Sequence, residues 1–241
     1  MKASKYTDDT AVENLQIGGV NLLDGTSDDW KITNIVNTWS YPYGGSTFSP
    51  MYSDVKEGTY YTFSVEVKDI PLRTKTYIRF FDSNNQVISN HGSEEWTEAN
   101  TESLLYTTGK APTGAVSLVL SIAIESIAPN TTVYYRKGQL ETGNKRTDWD
   151  LSAKDRQAKI DQAKQEALNA ANNVQTNVNS LSSYVDGAFK DGVIDEAEAK
   201  AIEKYKNTIN EAMAKAEASF AKVFANTYLE GAAKTALENA K

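Results

Sequence analysis

Residues 61–67 read Tyr61-Thr62-Phe63-Ser64-Val65-Glu66-Val67. Apolar and polar side chains alternate with a period of two, the pattern of a strand that buries one face. The same pattern recurs on both sides of it. Tyr77-Ile78-Arg79-Phe80-Phe81 reads as a strand, closed by the turn cluster Asp82-Ser83-Asn84-Asn85 and resumed at Val87-Ile88, so a hairpin is expected there. Val116, Leu118, Leu120, Ile122 and Ile124 fall on one side of a further strand, and Thr132 to Tyr135 adds another. Several short strands with no helical period between them predict an antiparallel sandwich or jelly roll.

This character stops near Trp149. All four Trp and all five Pro of the 241-residue chain precede residue 150, with ten of its thirteen Tyr. Residues 151–241 hold twenty Ala, against seven in the first 150. Aromatics suit sheets and Ala is the strongest helix former, so a β-domain followed by an α-helical segment is expected. The expected division is 1–17 as a linker or the end of an upstream helix, 18–150 as the sandwich, and 151–241 as a helical stalk or hairpin, read as cut from a longer chain.

In the second part Ile160, Ala163, Ala167, Ala170, Val174, Asn177, Leu181 and Tyr184 are spaced by threes and fours. That is a heptad seam with Asn177 as its polar break. A seam with so many small residues needs partner helices, from the same chain or from symmetry mates. Asp195 and Glu198 read as an N-cap and capping box for a second helix. Its apolar face carries Ile202, Tyr205, Ile209, Met213, Ala216, Phe220, Val223 and Phe224. Ala232 to Lys241 reads as the start of one more helix, and Thr10 to Leu15 as the tail of an upstream one.

Composition excludes several functions. With no Cys, thiolate chemistry and disulfides are out, and with one His, a multi-histidine metal site is out. A formal charge of −7 argues against binding a nucleic-acid backbone. No apolar run approaches the ~20 residues of a membrane span. Asp191, Gly192, Ile194, Asp195 and Glu198 fall at positions 5, 6, 8, 9 and 12 of an EF-hand loop, but Gly187 and Phe189 stand where carboxylates are needed, so a capped turn is the expected reading. No nucleophile elbow, zincin motif or phosphate loop is present, so no enzyme, metal or cofactor is expected.

Two motifs frame the β-domain. Gly19-Val20-Asn21-Leu22-Leu23-Asp24-Gly25-Thr26 opens it, and Gln139-Leu140-Glu141-Thr142-Gly143-Asn144-Lys145-Arg146-Thr147-Asp148-Trp149 closes it. This frame resembles the carbohydrate-binding-module-like jelly rolls of phage tail fibres, tail tips and prophage minor structural proteins. Asp191 to Lys200 is similar to a helical-hairpin repeat of the same proteins, with Ala225 to Gly231 as its second turn. The resemblance implies a non-enzymatic structural component of a virion. Its partners would be other tail proteins, a homotrimeric assembly and a host-surface polysaccharide. The alternatives are a β-domain that is a pure spacer, or a bacterial glycan-binding accessory module.

Candidate sugar contacts are the aromatics of Trp39-Ser40-Tyr41-Pro42-Tyr43-Gly44-Gly45 and Trp96, which follows Glu94 and Glu95. Aromatic faces stack on sugar rings, and loops on a rigid scaffold carry sites. Trp39, Tyr41, Tyr43 and Trp96 are therefore the residues expected to bind, unless they cover the core instead. Trp149 and Leu140 are expected as core anchors, and His91 as an exposed turn residue.

Overall fold

A computed structural model describes residues 16–225 apart from 36, 127, 129, 130, 189 and 191. The segments 10–15 and 232–241, read above as helical, lie outside the described residues. The chain divides into two compact units between Asp155 and Arg156.

The first unit is an antiparallel sandwich of eight strands: β1 (Lys31–Asn34), β2 (Trp39–Ser40), β3 (Tyr60–Lys68), β4 (Thr74–Phe81), β5 (Val87–Gly92), β6 (Ser103–Lys110), β7 (Ser117–Ile124) and β8 (Thr132–Thr142). One sheet has the order β1-β8-β3-β6 and the other β2-β7-β4-β5. Tyr61, Phe63, Val65 and Val67 face inward from the first sheet, with Leu105, Val133 and Leu140. Ile78, Phe80, Leu118, Leu120, Ile122 and Ile124 face them from the second. The β4–β5 hairpin turns where expected. Asp82 Oδ1 accepts the backbone N–H groups of Asn84 and Gln86, and Asn85 takes the left-handed conformation that closes the turn.

Burial on both faces departs from the simple alternation. Thr62 and Ser64 are as buried as their apolar neighbours, and the closing segment after β8 reaches Thr62. Thr62 Oγ1 donates to the carbonyl of Gly143 at 2.8 Å. All eight residues of β7 are buried as well, for a reason that belongs to the site below.

The two framing motifs meet in a polar clasp. Asn21 is buried, and its Oδ1 accepts the N–H groups of Leu23 and Leu140. Its Nδ2 donates to the carbonyls of Gly138 and Asp150 and to the Thr26 hydroxyl. The fully buried Glu141 carboxylate accepts the N–H of Gly19 and both the N–H and hydroxyl of Thr147, at 2.8 Å each. Those bonds compensate the burial of a charge that would otherwise be strongly unfavourable. Gln139 ties the same segment through Thr147 and Asp150. Leu140 is a core residue as expected. Trp149 is half-buried instead, with its indole N–H on the Thr26 hydroxyl at 3.3 Å.

Ser152 caps the first helix, accepting the N–H of Asp155 at 3.1 Å. Helix α1 spans Ala153–Ala188 and α2 spans Glu196–Phe224. The Asp195 cap and its reciprocal bond with Glu198 form the expected capping box. In the second unit Ile160 and Ala167 of α1 pack with Phe220 and Val223 of α2, and Tyr184 meets Tyr205 at 5.4 Å between ring centroids. The same chain thus supplies a partner for part of the seam. Between those contacts Asn177 lines a groove of about 550 Å³ with Asn169, Asn173, Thr176 and Thr208. No described helix is long and apolar enough to cross a membrane.

Candidate functional site

The outer face of the β2-β7-β4-β5 sheet is where the aromatic candidates gather. Strand β4 alternates, so Thr74, Thr76, Ile78 and Phe80 point inward while Lys75, Tyr77 and Arg79 point out. On β7 the residues opposite them are Ala123, Ser121 and Val119. Small side chains there let longer ones close over the strand. Trp39, paired with Ala123 from the other side, meets Tyr77 edge to face at 4.9 Å. The outward residues of β7 are covered in this way, with the 44–51 loop lying on Val119, which is why both faces of that strand are buried.

Cations complete the row. The Arg79 guanidinium lies 5.3 Å from the Trp39 ring centroid and donates to the Thr47 carbonyl at 3.0 Å. Tyr41 joins the same end, its hydroxyl 2.5 Å from that of Thr47. At the other end Lys75 Nζ lies 5.3 Å from the Trp96 ring and donates to the Glu94 carbonyl at 3.0 Å. Trp96 reaches this place because the chain after β5 continues along β4, with Thr97 bridging to Thr74. The result is a platform in the order Tyr41, Trp39, Tyr77, Trp96, each residue half-buried, with Arg79 and Lys75 among them. The Tyr77 ring leans over Gly92, where a Cβ would collide with it.

Tyr43 is not part of this row. Its ring packs edge-on against Phe63 and Tyr135, and among the described residues its buried hydroxyl has no hydrogen-bond partner. It fits only because residue 138 is Gly, whose Cβ would strike the hydroxyl. Burial, then the neighbouring Tyr135 phenol, push the Tyr43 pKa well above the usual tyrosine range. Pro42 between Tyr41 and Tyr43 turns the chain from the outer face into the sandwich. His91 likewise differs from the expected turn residue. It lies on β5, half-buried, with Ser89 Oγ at 2.8 Å and its ring edge-on to Phe80.

Sequence reading missed Lys75, Tyr77 and Arg79. The available signal was parity: they occupy the positions of β4 opposite to the core-facing Ile78 and Phe80. Glu94 and Glu95 are exposed beside Trp96.

A separate cavity of about 220 Å³ lies between the 24–27 turn, Lys31 and β8. Its cations are already engaged. Lys31 donates to the Gly25 carbonyl at 2.6 Å, and Arg136 and Lys137 both hold Glu66. Lys137 adopts φ 51°, beside a bulge in the β3–β8 register, and this turns two consecutive side chains to one carboxylate.

No family model matches the chain, and no curated protein is similar to it in sequence. Solved structures similar to it include the enzymatically active domain of tailspike protein 4 of bacteriophage CBA120, at 15% identity and TM-score 0.34, covering 52% of this chain and 21% of that one. The tripod from the baseplate of bacteriophage Tuc2009 is similar at 16% identity and TM-score 0.35, covering 58% and 60%. The CBM22-1 xylan-binding domain of Paenibacillus barcinonensis Xyn10C is similar at 11% identity and TM-score 0.33, covering 53% and 94%. This chain therefore spans about a fifth of the tailspike chain and less than two thirds of the tripod.

Proposed function

We propose that the sandwich is a glycan-binding module and that the chain is a non-enzymatic structural component of a phage tail, carried on the virion. The observation that carries the binding part is the row of half-exposed rings, Trp39, Tyr77 and Trp96, on one sheet face. Trp39 and Tyr77 meet edge to face, and Arg79 and Lys75 lie over Trp39 and Trp96, so the rings are already ordered and a sugar stacking on them immobilises little more. The tail part rests on the resemblance of the framing motifs, whose residues form the clasp around Asn21 and Glu141. The helical hairpin serves as stalk. The partners are a host-surface polysaccharide and other tail proteins, and many copies on one virion amplify a weak single site.

Affinity electrophoresis of the chain through gels containing a panel of polysaccharides tests the binding part. At least one polymer is expected to retard the wild type, and Trp39→Ala to migrate as in an empty gel. A wild type retarded by none, or a Trp39→Ala variant retarded as strongly, overturns it in favour of a spacer.

A further inference from the structure

The two cations on the platform are matched differently from those on the opposite sheet. There, Arg136 pairs with Glu66 at 2.6 Å and Glu102 at 3.1 Å, and Lys137 with Glu66 at 3.1 Å and Asp28 at 3.4 Å. Lys75 and Arg79 instead lie on aromatic rings and donate to backbone carbonyls. Among the described residues neither has a carboxylate partner, in a chain whose acids outnumber its Lys and Arg by 32 to 25. A ring face attracts a cation without neutralising it, so both charges remain available on a half-exposed face.

We infer that the polysaccharide bound by this platform carries carboxylates on its sugar rings, that is, a uronic-acid-containing chain. The inference rests on the platform being the glycan site. Lys75 and Arg79 stand four residues apart on one strand, about 13 Å, with Tyr77 between them. That spacing suits charges repeated along a polymer better than one small anion. Arg79 lies against the indole itself, so the group it meets is one bonded directly to a stacked ring. A uronate carboxylate has that position, whereas a phosphodiester lies in the linkage between units. The guanidinium keeps N–H groups beyond the one given to Thr47, in the fork that suits a carboxylate.

The test is calorimetric titration of the full chain with two matched pairs, polygalacturonate and its methyl ester, and alginate and its propylene glycol ester. Poly(glycerol phosphate) is the fifth probe. One of the acids is expected to bind about tenfold more tightly than its ester, with the preference lost in ~1 M salt, where the screening length is about 3 Å. Lys75→Gln and Arg79→Gln are expected to weaken the acid severalfold more than they weaken the ester, while Trp39→Ala weakens both alike. Equal binding of acid and ester, unaffected by Lys75→Gln, overturns the charge inference and leaves the platform standing. Binding of the phosphate polymer alone overturns the choice of carboxylate. Binding of none of the five overturns the inference, and the affinity-electrophoresis panel then decides the platform separately. Lys75→Gln removes one bond to a backbone carbonyl, so it keeps the test decisive even if Arg79→Gln loosens the 44–51 loop.

Discussion

The two outer faces of the sandwich are built from the same residue types and behave differently. On the β1-β8-β3-β6 sheet, Arg136 lies 4.3 Å from the Trp30 ring and Lys68 lies 4.6 Å from it, much as Arg79 lies on Trp39. That face also has Glu66 at its centre, holding both Arg136 and Lys137. Among the described residues no acid pairs with the cations of the other face; Glu94 and Glu95 are exposed at its Trp96 end, and Ser121 and Ala123 occupy its floor. One central carboxylate separates a neutralised, structural surface from one that keeps its charge for a ligand. Aromatic exposure does not discriminate between them, since Tyr106 on the first face is 55% exposed. Position of the acids does.

Substitutions test the difference between the two faces. The largest expected effect is Asn21→Ala, which removes the side chain that bonds the N–H groups of Leu23 and Leu140 and the carbonyls of Gly138 and Asp150 in the clasp. A loss of about 3 kcal/mol or more in urea unfolding is expected, with both faces lost together. Glu66→Ala is expected to lower the urea midpoint by less than Asn21→Ala does, because Arg136 and Lys137 lose their shared partner, and to leave glycan binding unchanged. Tyr77→Ala is expected to do the reverse. It removes the ring that orders Trp39, so affinity falls about tenfold while stability changes by less than that of Glu66→Ala.

The smallest effect concerns the buried phenol. Tyr43 is neutral in the folded state with its pKa raised, while the unfolded chain ionises near the ordinary value of about 10. The stability this contributes is present below that pH and is lost as pH rises above it. Tyr43→Phe is expected to be neutral or stabilising by up to about 1 kcal/mol at pH 7, since the hydroxyl has no partner among the described residues. It is also expected to flatten the alkaline limb of a thermal-melt series. An unchanged alkaline limb would place the Tyr43 hydroxyl in water rather than in the core.

Much of this architecture is legible in the sequence, and for identifiable reasons. The period of Tyr61 to Val67 and the turn at Asp82 to Asn85 specify strands and a hairpin locally. The Ala-rich heptads and the Asp195–Glu198 pair specify helices in the same way. Trp39, Tyr41 and Trp96 were recognisable as loop and edge aromatics. Tyr43 was not separable from them, because its fate depends on Gly138, ninety-five residues away, leaving room against β8. Tyr77 and Arg79 were hidden because their partner Trp39 lies two strands across, over a β7 whose outward residues happen to be small. Cross-strand coincidence of that kind has no local signature.

The most direct measurement of the contrast between the faces follows the four indole N–H signals by NMR while an oligosaccharide of the retained polymer is added. Trp39 and Trp96 report the platform, Trp30 the opposite face and Trp149 the clasp. Shifts at Trp39 and Trp96, with Trp30 and Trp149 unmoved, are the expected result. Shifts at Trp30 with Trp39 and Trp96 unmoved would contradict it and move the binding face to the other sheet.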